Sequence, residues 1–256
     1  MSNERLLITI CGRAGSKGFR NKNLKTFCDK PLVYYTLSAI DLFRADNPDI
    51  RVDVCLNTDS DLLADLVLRA YPETEYLPRG EALGGDTVPK MAVFQDSLRR
   101  MEELKGYRYD FLMDLDITSP LRTLDDMNNA YRKKAERPDL DLVFSVTDSR
   151  RNPYFNMVAD CGDHVEKVIE SPYTARQQAP AIYDVNASMY VFRRDFLAEN
   201  TTGILWDGKI GVIKMKDTAV LDIDSEEDFV LMQFIARYLY EQYPAFAQVR
   251  DHIREV

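Results

Sequence analysis

The 256-residue sequence has few of the residues that mark several special classes of protein. Its two histidines, His164 and His252, and four cysteines without a CxxC spacing predict no zinc site. We interpret the cysteines as reduced thiols of a cytoplasmic protein. Apolar runs such as residues 6–11 fall far short of the roughly 20 residues of a membrane span, and the first residues show no secretory-signal pattern.

Positive charge is also in short supply. Lys and Arg number 33 against 42 Asp and Glu, a formal net charge of −9. A protein that coats nucleic acid needs a face that neutralises phosphates, so we expect neither a nucleic-acid nor a membrane partner. With 45% hydrophobic residues the chain can bury a full core, which predicts a single domain over residues 1–256.

Strand and helix patterns alternate through the first half. The predicted strands are residues 6–11, 52–56, 110–115 and 142–146. The predicted helices are residues 31–43, 60–70, 90–104 and 124–136. This alternation predicts an α/β fold with an open, mostly parallel sheet and helices on both faces.

The second half is less regular. Residues 154–159 and 164–169 form two predicted strands around a turn, and residues 171–184 form a predicted loop. We interpret the irregular stretch 150–184 as a small inserted subdomain, and the alternative is a surface hairpin followed by a loop. Further strands are predicted at 188–192, 211–215 and 220–223, followed by a closing helix at 225–240.

The loop after the first strand, residues 11–23, is the most informative segment. Its glycines allow backbone N–H groups to approach a ligand, and it holds four cations, Arg13, Lys17, Arg20 and Lys22. Because ligands bind beyond the carboxyl ends of parallel strands, this composition suits a triphosphate. The loop is neither a P-loop, since Lys17 precedes Gly18, nor a Rossmann fingerprint, since position 14 is Ala. The alternative is a solvated basic loop.

Two pairs of acids also suggest a divalent cation. Asp114 and Asp116 form a DxD at a strand end, which can bind a metal and a nucleotide sugar. Alternatively, one of these acids faces solvent and the other caps the turn. Asp222 and Asp224 alternate with Ile223, which turns into the core, so both carboxylates can share a Mg²⁺ ion. The acids at 226–228 suit a helix N-terminus without any further role.

Together these segments resemble the CMP-N-acylneuraminate cytidylyltransferases. The family signature ARGGSKGxxxKN is matched by Arg13, Gly15, Ser16, Lys17, Gly18, Lys22 and Asn23. Gly12 replaces an alanine of the signature and Ala14 a glycine. Later segments resemble RPxxLAxD (at 79–86), TSPLR (118–122), RRQ (Arg176 and Gln177), NGAIY (186–190) and DIDTEEDF (222–228).

The resemblance implies a fold like that of the nucleotide-diphospho-sugar transferases. It implies a Mg²⁺-dependent transfer of CMP from CTP to the anomeric hydroxyl of a nine-carbon 2-keto sugar acid. It also implies a homodimer, in which the inserted subdomain reaches over the partner's site. The implied nucleotide-binding residues are Arg13, Gly15, Ser16, Lys17, Lys22, Asn23, Arg79 and Asp86. The implied sugar-binding residues are Asp116, Thr118, Ser119, Arg176, Gln177 and Asn186. Asp222 and Asp224 are the implied metal ligands, and Arg13, Lys17 and Asp222 the implied catalytic residues.

Asp116 stands where the family has a glutamine. A carboxylate that faces a sugar carboxylate repels it unless a cation intervenes, so Asp116 marks a different sugar substituent or binds metal. The segment 114–122 is compatible with enzymes for bacterial relatives of sialic acid, such as legionaminate. Two rival interpretations remain open: a GT-A glycosyltransferase that uses Asp114 and Asp116, and a nucleotide-binding protein without turnover.

Overall fold

The computed structural model describes residues 4–15, 19–85, 88–217 and 223–255. The strands are β1 (Arg5–Gly12), β2 (Thr26–Phe27), β3 (Lys30–Pro31), β4 (Arg51–Thr58), β5 (Glu75–Pro78), β6 (Phe111–Leu115), β7 (Leu142–Asp148), β8 (Val158–Asp160), β9 (Val165–Lys167), β10 (Tyr183–Arg193) and β11 (Ile210–Lys214). The α-helices are α1 (Leu32–Asp46), α2 (Asp61–Ala70), α3 (Lys90–Lys105), α4 (Leu124–Glu136), α5 (Arg194–Glu199), α6 (Glu226–Gln242) and α7 (Pro244–Asp251).

Seven strands form the central sheet in the order β11-β7-β10-β6-β1-β4-β5. The pairs β1–β4, β1–β6, β4–β5 and β7–β11 are parallel, whereas β10 runs antiparallel to both of its neighbours. The predicted fold class, an α/β sheet that is open and mostly parallel, is therefore confirmed. Because β1, β4, β5 and β6 are parallel, the loops that follow them meet at one edge of the sheet.

Hydrophobic layers cover both faces of this sheet. Alternate residues of β1 point to opposite faces: Leu6, Ile8 and Ile10 join one buried cluster, and Leu7 joins the other. The first cluster also contains buried side chains of α1, α2, α4, α6 and α7, and the second contains those of α3 and α5. The predicted helices on both faces are thereby confirmed.

Local signals explain why several helices begin where the sequence predicts. The Ser60 hydroxyl accepts a hydrogen bond from the Leu63 backbone N–H at the start of α2. Capping boxes open α4, with Thr123 and Asp126, and α6, with Ser225 and Asp228. These side chains satisfy N–H groups that a helix end otherwise leaves without partners.

The second half requires corrections. Strands were expected at 154–159 and 164–169, but the observed pair β8 and β9 is shorter. The turn between them has four residues as predicted but lies one position later, at 161–164. Asp160 accepts the Gly162 N–H there, and Gly162 has φ 96°. The sequence patterns also missed β5, α5 and α7. The strand expected at 220–223 lies outside the described residues, except for Ile223, which is fully buried as predicted.

The hairpin β8–β9 forms a separate two-stranded sheet outside the central one. Its Val158 and Val165 side chains are exposed. The inserted subdomain at 150–184, and its role in dimerisation, stay predictions. Among the described helices, none is long and apolar enough to cross a membrane. The cytoplasmic location also stays a prediction.

Candidate active site

A crevice opens where the order of strands reverses. From β1 the chain continues to β4 and β5 on one side, and then returns through α3 to β6 on the other side of β1. In open α/β sheets, ligands bind at the carboxyl ends of the strands at such a point. A cavity of about 310 Å³ lies there. Its charged and polar lining residues include Arg13, Lys22, Asn23, Arg79, Lys90, Asp116 and Thr118.

The fold therefore brings together six residues that the sequence assigned to the site, from three separate segments. They are Arg13, Lys22, Asn23, Arg79, Asp116 and Thr118. A larger groove of about 830 Å³ lies beside α3 and α5, but it holds none of the predicted site residues. Side chains such as Arg99 and Glu103, which pair with each other, line that groove. The cavity at the sheet edge is the candidate active site.

Close packing shapes the first loop at its start. A Cβ atom on Gly12 would lie 2.7 Å from Leu63 Cδ2 and 2.9 Å from Ile117 Cδ1, so the alanine of the resembled signature would require these side-chain ends to shift. The Ala14 N–H donates to Asp59 Oδ1 at 2.6 Å. Gly15, with φ 80°, adopts a conformation that favours glycine, so the glycine at this position is required by the backbone.

Four predicted site residues lie outside the described residues. They are Ser16, Lys17, Asp86 and Asp222. The roles that the sequence assigned to them stay predictions. Gly15 belongs to the described part of the loop and is exposed, but it does not line the cavity.

Lys22 joins the first loop to the second acidic pair. Its ammonium donates to the Ile223 carbonyl at 2.8 Å and lies 3.4 Å from Asp224 Oδ1. Asp224 is 79% exposed, and the cap of α6 uses Ser225 and Asp228 rather than the Asp224 carboxylate. The predicted metal ligand thus lies beside a residue that lines the cavity, although the two are 202 positions apart.

A buried amide orients Arg79. The guanidinium donates from Nε to Asn57 Oδ1 and from Nη2 to the Asn57 carbonyl, both at 2.8 Å. Asn57 is fully buried and its amide donates to Ser97 Oγ at 3.0 Å. Two bonds to one residue fix the plane of the guanidinium, so Arg79 is held against the cavity wall.

A lysine side chain, that of Lys90, lies beside the two carboxylates of the DxD pair. Lys90 Nζ lies 2.8 Å from Asp116 Oδ2 and 3.9 Å from Asp114 Oδ2. The expectation that one acid faces solvent is wrong, because Asp114 is 1% exposed and accepts from the Thr9 hydroxyl at 2.8 Å. The other acid does cap the turn: Asp116 Oδ1 accepts from the backbone N–H and the hydroxyl of Thr118.

These contacts determine the charge on the pair. Burial by itself favours the neutral form of Asp116, but the Lys90 ammonium and the Thr118 hydrogen bonds hold the pKa of Asp116 below its usual range. Burial also opposes a charge on Lys90, yet the Asp116 and Asp114 carboxylates keep the pKa of Lys90 above its usual range. For Asp114 burial prevails and raises the pKa. Lys90 and Asp116 therefore form an ion pair at the cavity wall.

Buried residues of the TSPLR segment form hydrogen bonds behind the cavity wall. Arg122 is 1% exposed and donates from Nη2 to the carbonyls of Asp116, at 3.0 Å, and Ser188, at 2.7 Å. The Ser119 hydroxyl donates to Ser188 Oγ at 2.8 Å. Ser119, predicted as a sugar ligand, is thus buried and binds β10, while Thr118 lines the cavity.

The other residues assigned to the sugar lie away from the cavity wall. Asn186 is buried where the register of β10 shifts, and its Oδ1 accepts from Ser145 Oγ at 2.5 Å and from the Ser188 N–H at 3.1 Å. Arg176 and Gln177 are exposed in a 3₁₀ turn, and Arg176 donates to the Ser149 carbonyl at 2.6 Å. Their contacts with a sugar stay predictions.

Sequence reasoning missed two residues of this site. The sequence predicts a helix at Lys90 and a TSPLR motif at Arg122, but it assigns neither residue a role in the site. The glutamine-to-aspartate change at 116 was a usable signal for Lys90, since a carboxylate facing an anion requires a cation nearby. It did not say which cation, because Lys90 is 26 positions away and reaches Asp116 only through the tertiary fold.

A solved structure shares this fold. The structure matches that of CMP:2-keto-3-deoxy-manno-octonic acid synthetase complexed with CTP, with a TM-score of 0.61 over 93% of this chain and 100% of that chain, at 15% identity. The fold is thus that of α/β nucleotidyltransferases.

Sequence relatives give the family. The cytidylyltransferase family model matches residues 7–92. The chain is 36% identical to the CMP-N,N′-diacetyllegionaminic acid synthase of Campylobacter jejuni, over 90% of this chain and 94% of that protein. It is 34% identical to post-translational flagellin modification protein B of Campylobacter coli, over 91% of this chain and 95% of that protein. The chain belongs to the cytidylyltransferase family, and the resemblance seen in its motifs is confirmed.

Proposed function

We propose that this protein transfers CMP from CTP to the anomeric hydroxyl of a nine-carbon 2-keto sugar acid and releases pyrophosphate. The observation that carries the proposal is the cavity at the carboxyl edge of the sheet, where motif residues of three segments meet. The relative named as a CMP-N,N′-diacetyllegionaminic acid synthase supports a legionaminate-type acid as the acceptor.

In the proposed reaction, one bond to the α-phosphorus forms and another breaks. The sugar hydroxyl oxygen bonds to the α-phosphorus of CTP and releases its proton to solvent. The bond from that phosphorus to the oxygen that bridges it to the β-phosphorus breaks, and pyrophosphate leaves with that oxygen. Positioning and charge stabilisation supply most of the catalysis in such transfers. Arg13, Lys22 and Arg79 provide cationic groups on the cavity wall to neutralise the triphosphate. Lys17 is assigned to the same role from the sequence.

Asp222 and Asp224 are the proposed ligands of Mg²⁺. The donor set fits this ion, since Mg²⁺ prefers carboxylate oxygens and few protein ligands. Asp224 presents an exposed carboxylate that the cap of α6 does not use, next to Lys22 of the cavity. When bound, the ion offsets negative charge on the phosphate oxygens.

The glycosyltransferase interpretation is weaker because it requires Asp114 and Asp116 to receive a divalent cation. The Lys90 ammonium lies between these two carboxylates, 2.8 Å from one and 3.9 Å from the other. A divalent cation there would have to displace Lys90 from Asp116. The measurement that separates the two functions is sugar transfer from a nucleotide sugar against pyrophosphate release from CTP.

Pyrophosphate release from CTP tests the proposed function directly. We expect release with Mg²⁺ and one nine-carbon acid from a panel of N-acetylneuraminate, N,N′-diacetyllegionaminate and pseudaminate, with 3-deoxy-manno-octulosonate as an eight-carbon control. Addition of a chelator should stop the release, and excess Mg²⁺ should restore it. Absence of release with every acid, from folded protein that binds CTP, would contradict the proposal and favour a binding protein without turnover.

Lys22→Met is expected to weaken CTP binding about 30-fold, because it removes one charge-assisted hydrogen bond to the triphosphate. Calorimetric titration with CTP measures this change. Lys25→Met is the matched control: Lys25 lies three positions further on, packs over the Phe19 ring and does not line the cavity. Equal affinities for the two variants would remove Lys22 from the nucleotide site.

A homodimer is also proposed. The hairpin β8–β9 extends from the central sheet with exposed valines, and the resemblance assigns the segment 150–184 to contact with a partner subunit.

A further inference from the structure

Lys90 occupies a defined place between two elements of the site. It is the first residue of α3, and its ammonium reaches the end of β6, where Asp116 Oδ2 lies at 2.8 Å. The Tyr190 ring centroid lies 5.7 Å from the same nitrogen. Lys90 lines the cavity, and its side chain is 46% exposed.

The Lys90 ammonium has more N–H donors than its hydrogen bond to Asp116 uses. A protonated lysine carries three N–H donors, and Asp116 Oδ2 takes one of them. The other oxygen of Asp116 is held by Thr118, so the carboxylate cannot rotate away without breaking two bonds. Asp114 Oδ2, at 3.9 Å, is too far from the ammonium for a hydrogen bond.

An anionic sugar acid makes this arrangement necessary. The carboxylate of Asp116 would repel the carboxylate of the acceptor if nothing lay between them. Arg122, the other cation that contacts residue 116, is buried beneath the site and donates to the backbone carbonyl there. Among the described residues, Lys90 is the cation that pairs with the Asp116 side chain at the cavity wall.

We propose that Lys90 is a specificity-determining residue for the acceptor, and that its ammonium bridges the Asp116 carboxylate and the carboxylate of the sugar acid. Lys90 and Asp116 then act as one unit that replaces the neutral glutamine of the resembled family. The inference rests on the proposed function, because it requires an anionic acceptor in this cavity.

A double-mutant cycle tests the unit. Lys90→Met is expected to raise KM for the sugar acid about tenfold, the loss of one charge-assisted hydrogen bond, with KM for CTP changed less than about threefold. In Lys90→Met/Asp116→Gln the repelling carboxylate is gone as well, so KM for the acid should fall back at least about threefold below that of Lys90→Met. Lys90→Gln provides a second neutral variant if Lys90→Met folds poorly.

Lys105→Met is the matched control. Lys105 lies at the other end of α3 and pairs with Glu75 Oε1 at 2.5 Å, away from the cavity. Its KM for the acid should equal that of the wild type. As a further readout, the methyl ester of the same acid, used as a competitive inhibitor, should lose less affinity than the acid does on Lys90→Met.

Each other outcome is decisive. If the wild type turns over an acid but Lys90→Met keeps its KM, the bridge does not exist. The same holds if the effects of Lys90→Met and of Asp116→Gln alone on the KM for the acid simply multiply in the double variant. A raised KM for the acid in Lys105→Met also contradicts the bridge, because the effect would then come from the loss of any positive charge on α3. If the wild type turns over no acid in the panel, the proposed function fails, and this inference fails with it.

Discussion

Asp222→Asn and Asp224→Asn are each expected to lower the rate of pyrophosphate release about 100-fold or more, since a metal supplies several kcal/mol of charge stabilisation in such reactions. Asparagine keeps the size of the side chain and removes the negative charge that a divalent cation requires. Initial rates with CTP, Mg²⁺ and the accepted sugar acid measure the loss. Titration with Mn²⁺, followed by its magnetic resonance signal, should show weaker metal binding in the same variants.

Stability should not explain that loss. Asp224 is 79% exposed and lies 3.4 Å from the Lys22 ammonium, so solvent screens this ion pair and its loss should change stability by less than about 1 kcal/mol. Glu227→Gln serves as the control, because Glu227 is an exposed acid of the first turn of α6 and is not one of the proposed ligands. If both asparagine variants bind Mn²⁺ as tightly as the wild type does, the metal site lies elsewhere.

Arg122→Met is expected to lower the free energy of unfolding by about 3 kcal/mol, because it removes two buried hydrogen bonds in which the donor is charged. Two carbonyls, those of Asp116 and Ser188, lose their shared donor. Burial lowers the pKa of Arg122 to about 10, so the guanidinium is still charged at neutral pH. For a domain of this size the midpoint of thermal unfolding should fall by about 10 °C.

A surface arginine gives the comparison. Arg108 is 67% exposed and pairs with Asp195 at 2.9 Å, so Arg108→Met should change the free energy of unfolding by less than about 1 kcal/mol. Denaturant titrations of both variants measure the difference. An Arg122→Met protein as stable as Arg108→Met would show that the contacts between β6 and β10 do not depend on this guanidinium.

The periodicity of the sequence was sufficient for most of the sheet and its helices. The helix predicted at 124–136 has the bounds of α4, because a Thr123 cap and an amphipathic repeat mark it clearly. The strand β5 was missed because it has four residues, and these include Glu75 and Pro78. The direction of β10 was not predictable, since a strand pattern is the same whichever way the strand runs between its neighbours.

Some features of the site could likewise be predicted from the sequence, and others could not. The sequence by itself predicted the motif residues, their order and a ligand site at the carboxyl ends of the strands, because glycines, cations and paired acids after strands are local signals. The class of chemistry came from the resemblance of these motifs to a known family. Tertiary structure alone decided that Lys90 meets Asp116, that Lys22 contacts Asp224 and that Arg122 is buried. These pairings join segments far apart in the chain. Their partners are set by how helices pack on the sheet, and no local spacing in the sequence records that packing.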